Sequence, residues 1–185
     1  VNDYQRVQSL PGWAESIVPF SPAFQKAILF CLAHENEYHA DGTVKTEHDP
    51  NDPGGTTKYG IDKAAHPNLD IENLTLEQAV ASYHADEWMR AHGDALPEKL
   101  AICHFDGVVN MGEQPSAKML QSAVLAMPDG SVGPATLAAA QSADADAPNR
   151  MLDAREQYYR HLRQFPRYGK GWLARVSDLL AFLSA

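Results

Sequence analysis

Two cysteines in 185 residues are too few for a disulfide framework. Cys31 and Cys103 each sit in an apolar helical pattern, where a buried thiol is the expected outcome; they would pair only if the fold turned them to face each other. No stretch of 18 apolar residues is present, so the sequence offers no transmembrane helix. No basic-then-apolar leader opens the chain either; since it starts at Val1, that absence says little about destination. Repeats and low-complexity tracts are also missing, which argues against solenoids and flexible tails.

What is there is ordinary for a folded chain: 44% hydrophobic and 21% charged residues. The net charge of −9 is unevenly placed. Residues 1–149 hold 8 Lys and Arg against 21 Asp and Glu, whereas residues 150–175 hold 7 against 2. An acidic body repels nucleic acid, so no nucleic-acid partner is expected. The late run Arg150, Arg155, Arg160, Arg163 and Arg167 reads mostly as a solvated face.

Residues 1–20, broken by Pro11-Gly12 and Pro19, read as an extension laid against the body. Ser21 and Pro22 then start a helix, with Phe24, Ala27, Ile28, Cys31 and Leu32 at helical spacing, ending near Glu35. Residues 40–60 are rich in Asp, Pro, Gly and Thr and predict a long loop or small β-ribbon. Residues 61–66 predict a short helix stopped by Pro67. Thr75 caps another helix, with Glu77 or Gln78 to close the cap, that runs through Tyr83 to Trp88. Further helices follow Pro97, Pro115, Pro134 and Pro148, and Gly107 inside one of them implies close packing there. The fold class is mainly α, with a small irregular or β-ribbon lobe near residues 40–60.

The stretch HENEYH at His34–His39 invites a metal reading, but its two histidines are five apart, about 500° around a helix and off any shared face. No metal and no cofactor are expected. A nucleophilic serine motif is missing, and Gly54-Gly55-Thr56-Thr57 lacks the length and lysine of a phosphate loop. A proton-handling carboxylate competes with an ordinary helix end at Glu35. The negative end of the helix dipole, with burial beside Phe30, Tyr38 or Tyr59, would favour the protonated acid near neutral pH. A second carboxylate such as Asp52 could stay ionised and orient water.

The motifs occur in an order that carries more information than any one of them: E-x-x-Y at Glu35–Tyr38, DPNDPGGTTKYGI at Asp49–Ile61, HFDGVVNMG at His104–Gly112, AKMLQSAV at Ala117–Val124, DGSVGPAT at Asp129–Thr136 and GWLAR at Gly171–Arg175. Together they resemble glycoside hydrolase family 108, the N-acetylmuramidases of phage-type endolysins. The resemblance implies a lysozyme-like fold with Glu35 as catalytic acid, Asp52 and Thr57 as the polar candidates beside it, and Tyr38, Tyr59 and Asn110 as substrate-binding residues. It implies a single unit over 21–185 after the extension 1–20, with a family-style subdivision into a catalytic part, 21–114, and a peptidoglycan-binding-like helical part, 115–185. The implied reaction hydrolyses the β-1,4 bond between N-acetylmuramic acid and N-acetylglucosamine in bacterial peptidoglycan.

Where that family commonly has two glycines after the acid, this chain has Asn36 and Glu37. Asn tolerates the left-handed cap that Gly would adopt. Glu37 adds a charge beside the acid, and where the family often has an aromatic pair, Glu87-Trp88 keeps only the tryptophan. Two alternatives use the same residues: a lytic transglycosylase on the same polymer, and a non-catalytic wall-binding or partner-binding protein. The place of action is the cell wall, reached through the periplasm, by secretion or during phage lysis; an immunity or inhibitor protein would be the partner of a secreted effector.

Overall fold

The computed structural model describes residues 2–48 and 55–185. It is mainly helical with one small antiparallel sheet, the fold class that the sequence predicts. The chain divides into two compact units, residues 1–84 and 85–185.

In the first unit the extension forms two short helices, α1 (Asp3–Gln8) and α2 (Trp13–Ile17). A capping box closes the start of α1, where Asn2 accepts from the Gln5 backbone and the Gln5 side chain accepts from the Asn2 backbone. The central helix α3 (Pro22–Glu35) starts where Ser21 accepts a hydrogen bond from the Phe24 amide and Pro22 fills the first turn. Its residues Phe24, Ile28, Phe30 and Leu32 are fully buried. Each such side chain contributes roughly 1.5–3 kcal/mol of burial. Helix α1 packs on α3, with Tyr4 reaching the Phe30 and His34 rings at centroid distances of 6.3 and 6.5 Å.

The polar lobe becomes a three-stranded antiparallel sheet: β1 (Glu47–His48), β2 (Thr56–Lys58) and β3 (Ile61–Asp62), in that order. Residues 61–66 are therefore not a short helix. Ile61 is buried as the partner of Lys58 in a hairpin, and the following residues turn, with Asp62 accepting from the Ala65 amide. Helix α4 (Leu76–Tyr83) has the expected Thr75–Gln78 capping box and packs on α2. Its predicted continuation to Trp88 is a π-helical turn, His84–Trp88, rather than regular α-helix.

The second unit is built round α5 (Glu98–Met111), reached through a 3₁₀ turn at Gly93–Ala95. Every residue from Leu100 to Val108 is buried, so α5 is enclosed on all sides. It packs against α6 (Glu113–Ala123) and α8 (Ala147–His161), and α8 against α9 (Phe165–Ser184). Between α6 and α8 runs α7 (Pro134–Gln141). Gly107 explains the close approach of α5 and α6: a methyl group there would lie 3.1 Å from the Ser116 Cβ and closer still to its hydroxyl. That hydroxyl donates to the His104 carbonyl at 3.0 Å and meets the His104 Nδ1 at 2.7 Å. With the hydroxyl proton committed to that carbonyl, Nδ1 is the donor to the Ser116 oxygen.

One reading of the sequence is corrected here. Arg155 is not on a solvated face: it is 2% exposed and donates to the Asp106 Oδ2 at 2.6 Å. Its partner is Asp106. It is buried between Arg155 and Arg175, whose Nη2 donates to its Oδ1 at 2.7 Å. Burial alone would push this carboxyl up, but Arg175 and Arg155 outweigh it and hold it at about 2. The motifs at 117–124 and 129–136 meet at Gln121, whose amide donates to Asp129 and Thr136 and accepts from the Gly130 amide. Cys31 and Cys103 are both buried and are not joined in a disulfide, and burial pushes the Cys103 thiol up to about 12.

Candidate active site

Glu35 is the last residue of α3 and is half-buried. The helix stops there because Asn36 turns extended, with φ −82° and ψ 129°, its amide still donating to the Leu32 carbonyl. The left-handed cap expected at this point is absent, so position 36 does not demand glycine. The Asn36 side chain donates from its Nδ2 to the Tyr38 hydroxyl at 3.2 Å.

Residues 37–45 fold back on themselves. The Lys45 amide donates to the Glu37 carbonyl, the His39 amide to the Thr43 carbonyl, and Tyr38 bridges Val44. The charge of Glu37, which the sequence leaves beside the acid, is held by the Lys45 ammonium at 3.2 Å. Burial, followed by Glu37 itself, pushes the neighbouring Glu47 carboxyl up.

The chain returns to Glu35 through the β2–β3 hairpin. Lys58 pairs with Ile61, leaving Tyr59 and Gly60 as a two-residue turn with φ of 55° and 77°. Positive φ at both positions is the type I′ pattern, whose twist matches that of the strands. For a tyrosine it is strained. The Tyr83 hydroxyl holds that strained carbonyl, donating to the Tyr59 oxygen at 3.0 Å. Gly60 seats the turn on the helix end: a Cβ there would lie 2.9 Å from the Glu35 Cβ and 3.1 Å from its Cγ, with the Tyr83 oxygen nearer still.

Among the residues singled out in the sequence, Glu35 and the Tyr59-Gly60 turn are thus brought together. Thr57 lies in the middle of the sheet, half-buried, between Glu47 and Asp62. Tyr38 and Tyr59 are half-buried phenols, each pushed up by burial, and close enough that charge on Tyr38 raises Tyr59 further. Lys58 lies over the Tyr59 ring at 5.6 Å. Asp52 lies outside the described residues. Asn110 belongs to the second unit, near the end of α5, where its Oδ1 accepts from the Tyr159 hydroxyl at 2.9 Å. Tyr159 in turn accepts from Arg155 and stacks on Trp172 at 5.0 Å. Sequence reasoning missed Tyr83, which reads there only as an apolar position of a helix.

The Glycosyl hydrolase 108 family model matches residues 32–112, a segment that includes Glu35, the sheet and Asn110. The fold is similar to a solved structure of SagA from Brucella abortus, with a TM-score of 0.71 and 30% identity. That similarity covers 87% of this chain and 94% of the other. No curated protein matches the sequence.

Proposed function

The chain belongs to the glycosyl hydrolase 108 family, and on that premise we propose that it is a muramidase with Glu35 as general acid. The substrate of this reading is bacterial peptidoglycan, cut at the β-1,4 bond from N-acetylmuramic acid to N-acetylglucosamine. Glu35 gives its proton to the leaving oxygen as the bond breaks, and water adds to the anomeric carbon. Thr57 and Asp52 are the proposed groups for orienting that water or steadying the developing positive charge. Tyr38 and Tyr59 offer aromatic surface and hydroxyls to the sugars, and Asn110 an amide.

The observation that supports this most is the seat of the Tyr59-Gly60 turn on Glu35. A carboxylate at an ordinary helix end has no need of a strained hairpin pressed against its own side chain. Proton transfer does need one, because the donor must be held within hydrogen-bond reach of one oxygen. Among the described residues no helix is long and apolar enough to cross a membrane.

The test is digestion of purified peptidoglycan by the native chain and by Glu35→Gln, with products read by mass spectrometry. Native chain should release fragments with reducing ends, and the variant should release almost none. Anhydro ends would reassign the chain to lytic transglycosylation. Equal digestion by both proteins would remove Glu35 from the mechanism.

A further inference from the structure

The second unit holds a groove beyond the family-matched segment, which ends at residue 112. It lies between the packed helices α6 and α8 and has a volume of about 480 Å³, within the range of about 300–1,000 Å³ usual for small-ligand sites. Pro115, Met119 and Ala154 line it with apolar surface. Its one permanent charge is the Lys118 ammonium, and among the described residues no Asp or Glu lines it, although the chain has 24 of these against 15 Lys and Arg. Glu156, on the same stretch of α8, pairs with Arg160 instead, at 3.3 Å. Lys118 has no carboxylate partner among the described residues, and the side-chain amides of Gln114 and Gln157 make no hydrogen bond among them. His161 adds an acceptor: its Nδ1 lies 2.6 Å from the Gln157 carbonyl and must donate there, which leaves Nε2 of the neutral ring with its lone pair. What the groove presents is therefore one cation, two primary amides and an imidazole nitrogen around an apolar lining.

We propose that this groove takes the peptide of peptidoglycan rather than its sugars, with a free carboxylate of the peptide on the Lys118 ammonium and its backbone amides on Gln114 and Gln157. The lactyl carboxyl of the muramyl sugar is consumed in the amide bond that carries the peptide. The free carboxylates of that part of the polymer therefore stand on the peptide itself, at acidic residues and at any end that is not cross-linked. A charge-assisted hydrogen bond to Lys118 suits such a group, whereas an uncharged N-acetyl sugar leaves the ammonium without a counter-charge. A peptide backbone offers N–H and C=O in turn, and a primary amide carries donors and an acceptor together, so each glutamine can answer either. The apolar lining suits small aliphatic side chains. The proposal rests on the peptidoglycan reading for its choice of ligand but not on the catalytic role of Glu35.

The experiment titrates the full chain with diacetyl-lysyl-D-alanine, whose only charge is its terminal carboxylate, and separately with the same peptide closed as its C-terminal amide. NMR follows the backbone amides of Met119, Ser122, Ala154 and Gln157. The acid should shift these amides and bind about fivefold more tightly than the amide form. Lys118→Gln should remove that preference and Lys118→Arg should keep it, while Ala154→Leu, which fills the groove, should abolish binding of both peptides. Shifts confined to other residues, or no shift with the acid, overturn the proposal. Equal affinity for the two peptides in the native chain also overturns it, as does a preference that survives Lys118→Gln or binding that survives Ala154→Leu. A chain that binds the acid at these amides yet leaves peptidoglycan uncut keeps the groove and sinks only the muramidase reading; one that cuts peptidoglycan without binding the acid does the reverse.

Discussion

The Tyr83 hydroxyl and the Tyr59 carbonyl are 3.0 Å apart, 24 residues distant in sequence, and their hydrogen bond is what holds a tyrosine in left-handed geometry next to Glu35. Tyr83→Phe keeps the ring and removes only that bond. The expected cost is about 1 kcal/mol of stability. Activity on peptidoglycan should fall further than that loss explains, because the turn relaxes away from Glu35. Urea unfolding and kcat/KM measured on the same preparation check this; a stability loss with unchanged kcat/KM would reduce Tyr83 to a scaffold residue.

Gly60→Ala meets two obstacles at once. Its φ of 77° is one that side chains rarely adopt, and the added methyl would run into Glu35 and the Tyr83 oxygen. The expected destabilisation is roughly 2 kcal/mol, with the hairpin displaced and activity lost. Gly42→Ala, at φ 87° with open space around the missing Cβ, isolates the backbone cost alone and should be the milder change. Thermal melting of the two variants side by side gives the answer.

The buried charges of the second unit make a separate expectation. Asp106→Asn leaves Arg155 and Arg175 facing each other with no carboxylate between them, at positions 2% and 9% exposed. Breaking a buried pair by removing one partner costs about 3–5 kcal/mol. Since Arg155 also orients Tyr159, and Tyr159 orients Asn110, the variant should lose the fixed amide at Asn110. Equilibrium unfolding measures the first effect, and the NMR signal of the Asn110 side-chain amide the second.

Stability should respond to pH from two sides. Burial, then the charge of His92, lowers His104 from 6.5 to about 4. Its neutral form is the folded one, so its contribution is full above 6.5 and is lost as pH falls from there towards 4. The drop is worth about 3 kcal/mol. Glu87 runs the other way: burial and then Asp86 raise it from 4.5 to about 7, so folding is penalised as pH rises between those values. Partial exposure of Glu87 reduces that penalty to about 1 kcal/mol. His104→Asn, which keeps an amide opposite Ser116, should flatten the acid limb, and Glu87→Gln should raise stability at pH 8 but not at pH 4. Chemical denaturation across pH 4–8 separates the two.

How far the sequence reveals this molecule depends on how local each cause is. The caps at Ser21 and Thr75 are legible because donor, acceptor and helix lie within four residues, and the structure has both. The π-turn at His84–Trp88 is hidden in an unbroken apolar pattern. Residues 61–66 mislead because Pro67 supplies a helix stop, while the competing signal is a Tyr-Gly turn that lacks the usual Asn or Asp. Glu35 stands out by its place at a helix end and by its spacing to the loop. Tyr83 does not, because a tyrosine at an apolar helix position reads as core until its hydroxyl is seen to have a partner. The same holds for Asp106 and its arginines: nothing local announces a bond 49 or 69 residues away.

That last separation bears on how the chain is made. Asp106 leaves the ribosome long before either arginine, and its charge has no place in the interior until they arrive. A nascent chain that ends short of Arg175 must keep α5 hydrated or bury a carboxylate with one partner missing. The second unit therefore closes late in synthesis, and a stall between α8 and α9 leaves its most deeply buried helix exposed to proteases and chaperones.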